Sequence, residues 1–194
     1  ITVVVRSDSS GTSFVFTGHL AAISEAFKTT VGQAKAPNWP KSGKIVKAPK
    51  NDGVTATIKQ TPGAIGYIEY GFAKLTKAPT AMLENKSGKF VAPGSESGKA
   101  ALASAEFPAG NLPGSEVPDL RVWVTDPAGE DAYPIASFTW LLLYKDQDDE
   151  KAKTLRDLVE YSLTTGQKSA DAMGYIPLPE NVIERVREVS MMVQ

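Results

Sequence analysis

Ile1-Thr2-Val3-Val4-Val5-Arg6-Ser7-Asp8-Ser9-Ser10-Gly11-Thr12 opens the chain. Thr2 to Val5 is a continuously apolar, β-branched run that stops abruptly at charged and small polar residues, the pattern of a buried strand feeding a tight loop. Beyond the loop Phe16, Leu20, Ile23 and Phe27 recur at helical spacing, so the predicted order is strand, Ser/Gly loop, helix. A helix entered this way turns its first unpaired backbone N–H groups and its positive dipole end toward the loop. Such a corner binds anions.

The side chains around it suit an oxyanion. Arg6 offers a planar fork of donors, Ser10 and Thr12 offer hydroxyls, and Gly11 offers a backbone with no Cβ in the way. Asp8 is the discordant member, because a carboxylate repels an anion unless the anion carries a proton it can share. Phosphate near neutral pH keeps a proton and sulfate has none, so Asp8 in the pocket selects the protonated oxyanion; a bare dianion would leave a desolvated charge facing a like charge. The simpler alternative is that Ser9 or Ser10 is an ordinary N-cap and Arg6 pairs with Asp8 at the surface. A nucleotide P-loop is excluded, since Gly-x-x-x-x-Gly-Lys-Ser/Thr does not occur.

The remaining chain narrows the class. Its 194 residues suffice for one large or two small domains with a real core. With 21 basic and 22 acidic side chains there is no net field to attract nucleic acid or an anionic membrane. No uncharged run reaches the length of a membrane span. The absence of cysteine excludes disulfides and thiolate metal sites and leaves the redox compartment open. Because the sequence opens on Ile1, directly on a core strand and without a targeting segment, it is expected to be a fragment or processed product of something longer.

In chain order, the first helix is expected to break at Ser24, which caps a second turn through Phe27 to Val31. His19, the single histidine, reads as structural or solvent-facing. Gln33 to Pro49 reads as a proline-punctuated loop whose Lys35, Lys41, Lys44, Lys47 and Lys50 are solvated. Asn51 or Asp52 caps a short helix ending at Pro62-Gly63. Residues 64–70 alternate as a strand, 71–77 return as a helix, and strands over 80–83 and 89–92 flank an Asn85-Lys86-Ser87-Gly88 turn. A helix follows over 95–107, then a loop over 108–118 and a strand over 120–124. Residues 127–134 read as a crossover between domains. Ile135 to Tyr144 reads as a long core strand in which Trp140 packs. Asp146-Gln147-Asp148-Asp149-Glu150 lacks the pattern of a Ca²⁺ loop and reads as the start of a helix carrying Leu155, Leu158, Val159 and Leu163. Gly166 ends that helix. A short helix over 167–173 follows, and Val182, Val186, Val189 and Val193 line the last one, with Met191 and Met192 as core or dimer-contact residues.

Arg6-Ser7-Asp8-Ser9-Ser10-Gly11-Thr12-Ser13-Phe14, then Lys50-Asn51-Asp52-Gly53-Val54, Thr61-Pro62-Gly63-Ala64-Ile65-Gly66-Tyr67-Ile68-Glu69-Tyr70 and Tyr133-Pro134-Ile135, closely resembles the phosphate-binding protein of the bacterial high-affinity phosphate ABC transporter. Gly174-Tyr175-Ile176-Pro177-Leu178-Pro179 belongs to the same resemblance, which runs over nearly the whole chain. It implies an α/β, type II periplasmic-binding-protein-like fold of two lobes, here incomplete at its N-terminus. Residues 1–130 would be the later part of the second lobe and residues 131–194 the crossover and return segment of the first.

The function so implied is non-catalytic: binding of inorganic phosphate in the periplasm or at the cell surface and delivery to membrane permease subunits, with no cofactor, nucleic acid or membrane span. Arg6 would be the cationic donor tied to Asp8, Asp8 would accept the ligand's proton, and Ser10, Gly11 and Thr12 would supply hydroxyl and backbone donors. The chain departs from the family before Asn51, where Lys44-Ile45-Val46-Lys47-Ala48-Pro49 stands in place of a glycine-rich loop; this argues against a backbone contact from that loop to the site. Two other readings are a domain with a structural or sensing role and no binding, and a phosphate-ester hydrolase using Ser10 or Thr12. The second lacks a base or metal ligands to activate its nucleophile.

Overall fold

Thr2–Arg6 forms the central strand, β1, and its neighbours explain why so short a run holds. It lies between two parallel partners, β2 (Ile45–Ala48) and β3 (Ala64–Gly66), in the order β2-β1-β3. Val4 faces Val46 on one side and Gly66 on the other. Val4 and Val5 point to opposite faces and both are fully buried, as expected of a parallel strand covered on both sides. The computed structural model describes residues 1–41 and 43–194; Ser42, inside the loop expected over 33–49, lies outside the described residues.

Each strand feeds a helix: α1 (Gly11–Ile23) and α2 (Glu25–Thr30) follow β1, α3 (Lys50–Gln60) follows β2, and α4 (Tyr70–Thr76) follows β3. One face of the sheet packs on α3 through Val4, Ala48 and Val54, with Ile58, Ala64 and Ile68 around them. The approach is close enough to require Gly66, since a Cβ there would lie 2.7 Å from the Val4 carbonyl oxygen and 2.9 Å from Ile58 Cδ1. A hairpin of β4 (Leu83–Glu84) and β5 (Phe90–Val91) turns through the expected Asn85–Gly88 segment. Asn85 is buried; its amide donates to the carbonyls of Gly129, Glu130 and Ala132. Then come α5 (Ser95–Ala103), α6 (Asp149–Leu163), α7 (Gln167–Ala170) and α8 (Glu180–Ser190). A second cluster joins α6 to α8 through Val159, Leu163 and Ile183.

Several expectations hold in detail. Ser24 breaks the first helix and caps α2, accepting from the Phe27 N–H. Asp148 caps α6, its carboxylate accepting from Lys151 N–H at 2.9 Å. Trp140 packs edge-on against Trp123, centroids 5.0 Å apart, and its indole N–H donates to the Leu120 carbonyl.

Others do not hold. The loop expected over 33–49 contains β2, an edge strand in which exposed Val46 and Lys47 alternate poorly; its order comes from pairing with β1. The helix over 50–60 is entered through Pro49, and neither Asn51 nor Asp52 caps it. The apolar stripe expected on the first helix is not its buried side: Ile23 is 57% exposed, while Ser13, Thr17, Gly18 and His19 are buried. Thr17 Oγ1 donates to the Ser13 carbonyl and accepts from the Ala34 N–H, so small polar groups are needed where a loop backbone passes. Of the two roles expected for Met191, core or dimer contact, its exposure removes the first.

The strands expected over 120–124 and 135–144 do not form; among the described residues these stretches make one isolated bridge, Thr125 to Ile135. An apolar run becomes a strand only where another backbone accepts its hydrogen bonds. Here Leu141, Leu142 and Tyr144 stay exposed instead.

The Gly174-Tyr175 motif has a packing reason. Gly174 has φ +84° and passes so near α4 that a Cβ would lie 2.5 Å from Gly71 Cα. Lys74 reinforces the junction, pairing with Asp171 at 2.8 Å. Among the described residues no helix is long and apolar enough to cross a membrane.

Candidate functional site

The C-terminal edge of the parallel sheet is where β1, β2 and β3 release their chains into α1, α3 and α4. In open α/β sheets this edge is where ligands bind. Arg6 stands on it as the last residue of β1, its side chain only 8% exposed. A guanidinium so placed must direct its five N–H groups to acceptors. Nε donates to Asp8 Oδ1 at 2.9 Å and Nη2 to Asp8 Oδ2 at 2.6 Å, a bidentate pair. Nη1 donates to Asn51 Oδ1 at 3.2 Å. Three of the five are thereby used, and two remain for a ligand.

Asp8 is held from two sides. The Arg6 guanidinium and, after it, the Lys50 backbone N–H at 2.9 Å keep its carboxyl well below the usual carboxylate range, against a smaller opposing effect of burial. Oδ1 thus accepts twice and Oδ2 once, which leaves Oδ2 able to accept one further hydrogen bond. The sequence placed Arg6 and Asp8 together, and the structure brings them together, with Arg6 buried rather than at the surface.

The Lys50 contact overturns the expectation that a chain without glycine makes no backbone contact here. Lys50 adopts φ +53°, a left-handed conformation that costs a non-glycine residue about 1–2 kcal/mol, and this turns its N–H onto Asp8. Lys50→Pro removes the donor and cannot adopt this φ, so it should destabilise the protein by about 2–3 kcal/mol. Lys50→Gly should stay within about 1 kcal/mol of the parent. Urea denaturation of the two variants checks this; a proline variant as stable as the glycine variant would refute the contact.

Ser10 caps α1: its Oγ accepts from Ser13 N–H at 3.2 Å, and its own N–H donates to the Lys35 carbonyl at 2.9 Å. The cap leaves the hydroxyl proton available, so the capping and binding roles weighed for Ser10 are compatible. Gly11 and Thr12 are the first two helical residues, and their N–H groups have no carbonyl one turn back. Gly11 is exposed, and a Cβ added to it would meet nothing within 4 Å. Thr12 Oγ1 donates to Glu69 Oε1 at 3.4 Å, so its hydroxyl proton is directed to a carboxylate.

Two side chains escaped the sequence reading. Tyr67, read there as a strand residue, is buried, and its Oη accepts from the Arg6 backbone N–H at 3.2 Å and sits 2.7 Å from Ser13 Oγ. Its ring stacks on Phe16, centroids 4.4 Å apart, tying the end of β3 to the first turns of α1. Asn51, read as a helix cap, is the acceptor for Arg6. His19 is buried beside Asp126, 4.0 Å away, where burial pushes its pKa down and Asp126 opposes this. That is the structural role expected of it. Among the described residues no group of three or more His, Asp or Glu side chains could hold a metal ion.

A parallel sheet with a buried arginine and a serine-capped helix start at its C-terminal edge defines an α/β domain with a donor-rich corner at the edge where such folds bind ligands. The chain belongs to the PBP superfamily, whose domain profile matches residues 1–165, and it has an α/β periplasmic-binding fold. It is 41% identical over 190 residues to the phosphate-binding protein PstS of Methanocaldococcus jannaschii, covering 94% of this chain and 49% of that protein. With PstS of Pasteurella multocida the identity is 36%, covering 96% of this chain and 52% of the other. A high affinity periplasmic phosphate-binding protein, PfluDING, solved with bound phosphate at pH 8.5, superposes with a TM-score of 0.70 at 25% identity. That match covers 96% of this chain and 57% of the other. The chain spans about half the length of the curated relatives it matches.

Proposed function

We propose that this chain binds inorganic phosphate and carries the oxyanion-gripping part of a solute-binding protein that serves an ABC importer. The observation that carries the reading is the juxtaposition, across a four-residue loop, of the buried Arg6 fork with the uncovered first turn of α1. Two Arg6 N–H groups, the Ser10 hydroxyl and the Gly11 and Thr12 N–H groups are the donors, joined by the Thr12 hydroxyl once it turns from Glu69, and Asp8 Oδ2 is the acceptor for the ligand's proton. An acceptor held so strongly ionised shares a proton and does not remove it, which suits reversible capture. The relatives named for phosphate binding support the ligand. The periplasmic phosphate-binding neighbour supports a periplasmic location; a non-catalytic role, a cell-surface location as the alternative, and membrane permease subunits as partners are part of the same proposal.

In this reading residues 1–130 belong to the lobe that carries the grip and residues 131–194 cross to a second lobe. The apolar segment 135–144, which forms only the Ile135–Thr125 bridge among the described residues and leaves Leu141 and Leu142 exposed, supports the division.

Calorimetric titration with phosphate, and with sulfate as the control, tests the proposal: phosphate should bind and sulfate should not. No heat with phosphate would leave a domain with a structural or sensing role. A phosphatase assay with and without added divalent metals separates binding from ester hydrolysis. Gly11→Ala sharpens the test. The new Cβ meets no protein atom and alanine is the better helix former, so stability should hold or rise slightly. Phosphate affinity should nevertheless fall at least tenfold, because the methyl group occupies the ligand's approach to the amide. Unchanged affinity would move the ligand off this helix.

A further inference from the structure

We propose that Asn51 is the positioning residue of the anion grip. It is a neutral acceptor that aims the Arg6 guanidinium at the ligand without cancelling its charge, an assignment that rests on the phosphate-binding reading above. Asn51 occupies the first turn of α3, where asparagine is a poorer choice than alanine and where capping would be its usual reason for being. It does not cap. Instead it is buried, with Oδ1 on Arg6 Nη1. The orientation of the amide is fixed by chemistry, since a guanidinium has only donors and so faces the oxygen. A residue that violates its local preference while satisfying a buried charge marks a functional constraint.

The charge arrangement explains why the acceptor is neutral. Asp8 alone already balances Arg6 in a bidentate pair. Glu69, on Thr12, already adds a negative charge near the fork; a further carboxylate at position 51 would hold Nη1 more tightly, yet it would add to the repulsion of an anion. The Asp8 pair sets the guanidinium plane; without an acceptor at 51 the Nη1 side of that plane loses its second anchor, and the pair of donors left to the ligand is free to rock about the Asp8 contact. Asp8 from the loop after β1, Asn51 from the helix after β2 and Tyr67 from the end of β3 therefore hold Arg6 from all three strands. Asp8 holds Nη2 and Asn51 holds Nη1, so each nitrogen that still has an N–H for the ligand is anchored by a different acceptor.

The test is a double-mutant cycle read by phosphate titration in the purified protein. Asn51→Ala should weaken phosphate binding about ten- to a hundredfold in the parent and less than twofold in an Arg6→Lys background, where there is no fork to aim. Asn51→Asp should melt at or above the parent temperature and still bind phosphate about tenfold more weakly. Separate Nη–H resonances for Arg6 in the ligand-free protein, a sign of restricted guanidinium rotation, should be kept by Asn51→Asp and lost in Asn51→Ala. Equal loss of affinity in both backgrounds, no loss in the parent, or Nη–H signals untouched by Asn51→Ala would each overturn the assignment. If the parent takes up no phosphate at all, the binding reading falls, and the Arg6 signals then decide the Asn51 assignment alone.

Discussion

Replacing Arg6 by alanine removes phosphate binding from the calorimetric range while the fold persists. The guanidinium offers two N–H groups to the ligand, and charge-assisted hydrogen bonds contribute about 1.5–3 kcal/mol each. Losing both corresponds to a drop of about 10²–10⁴ in affinity. The loss is deepened because Asp8, deprived of its partner, then faces the anion as an uncompensated carboxylate. Arg6→Lys keeps the charge and forfeits the plane: one ammonium cannot serve both Asp8 oxygens, Asn51 and the ligand. It should bind about ten- to a hundredfold more weakly than the parent. Titration in phosphate-free buffer, with circular dichroism to verify folding, distinguishes these outcomes. An Arg6→Ala protein that folds and binds phosphate within threefold of the parent would dismiss the site.

Asp8→Asn gives the second large effect, and its size differs for two anions. The asparagine cannot accept from Nε and Nη2 together, since one of its two positions is itself a donor, so Arg6 loses its anchor and phosphate binding should weaken at least a hundredfold. The substitution also removes the negative charge that excludes a fully deprotonated guest, so the preference for phosphate over sulfate should fall at least tenfold. Paired titrations with the two anions measure both quantities. A variant that still rejects sulfate as strongly as the parent would remove Asp8 from the selectivity argument.

The pH dependence follows from the same pair. Because Arg6 and the Lys50 N–H depress the Asp8 pKa from its ordinary 3.8, its contribution to stability is present above that value and is lost only as the pH falls through the lower, folded-state value. The grip should therefore remain charged throughout the mildly acidic range.

The site was legible in the sequence where its parts are contiguous. Arg6, Asp8, Ser10, Gly11 and Thr12 lie within seven positions between a β-branched run and a helical period, and local geometry alone carries the first three from strand end to helix cap. The hairpin at 85–88 and the cap at Asp148 were legible for the same reason: each is a bargain between near neighbours in the chain. What failed was pairing. Ile45–Ala48 looked like loop because prolines and lysines surround it, and became a strand because β1 lies beside it. Residues 135–144 looked like a long core strand and formed none, since beyond the bridge of Ile135 to Thr125 no described strand pairs with them.

Chemistry at each position, the alternation of strand and helix, and the donor-rich corner proposed to grip an anion after the first strand belong to the sequence itself, because they depend on side-chain type and on spacing of a few residues. The partners of Arg6 belong to the tertiary structure. Asn51 lies 45 residues away and Tyr67 61 residues from it, and only the parallel order β2-β1-β3 brings the ends of three strands to one edge. Which buried acceptor meets which N–H is set by that packing, and no local pattern in the chain encodes it.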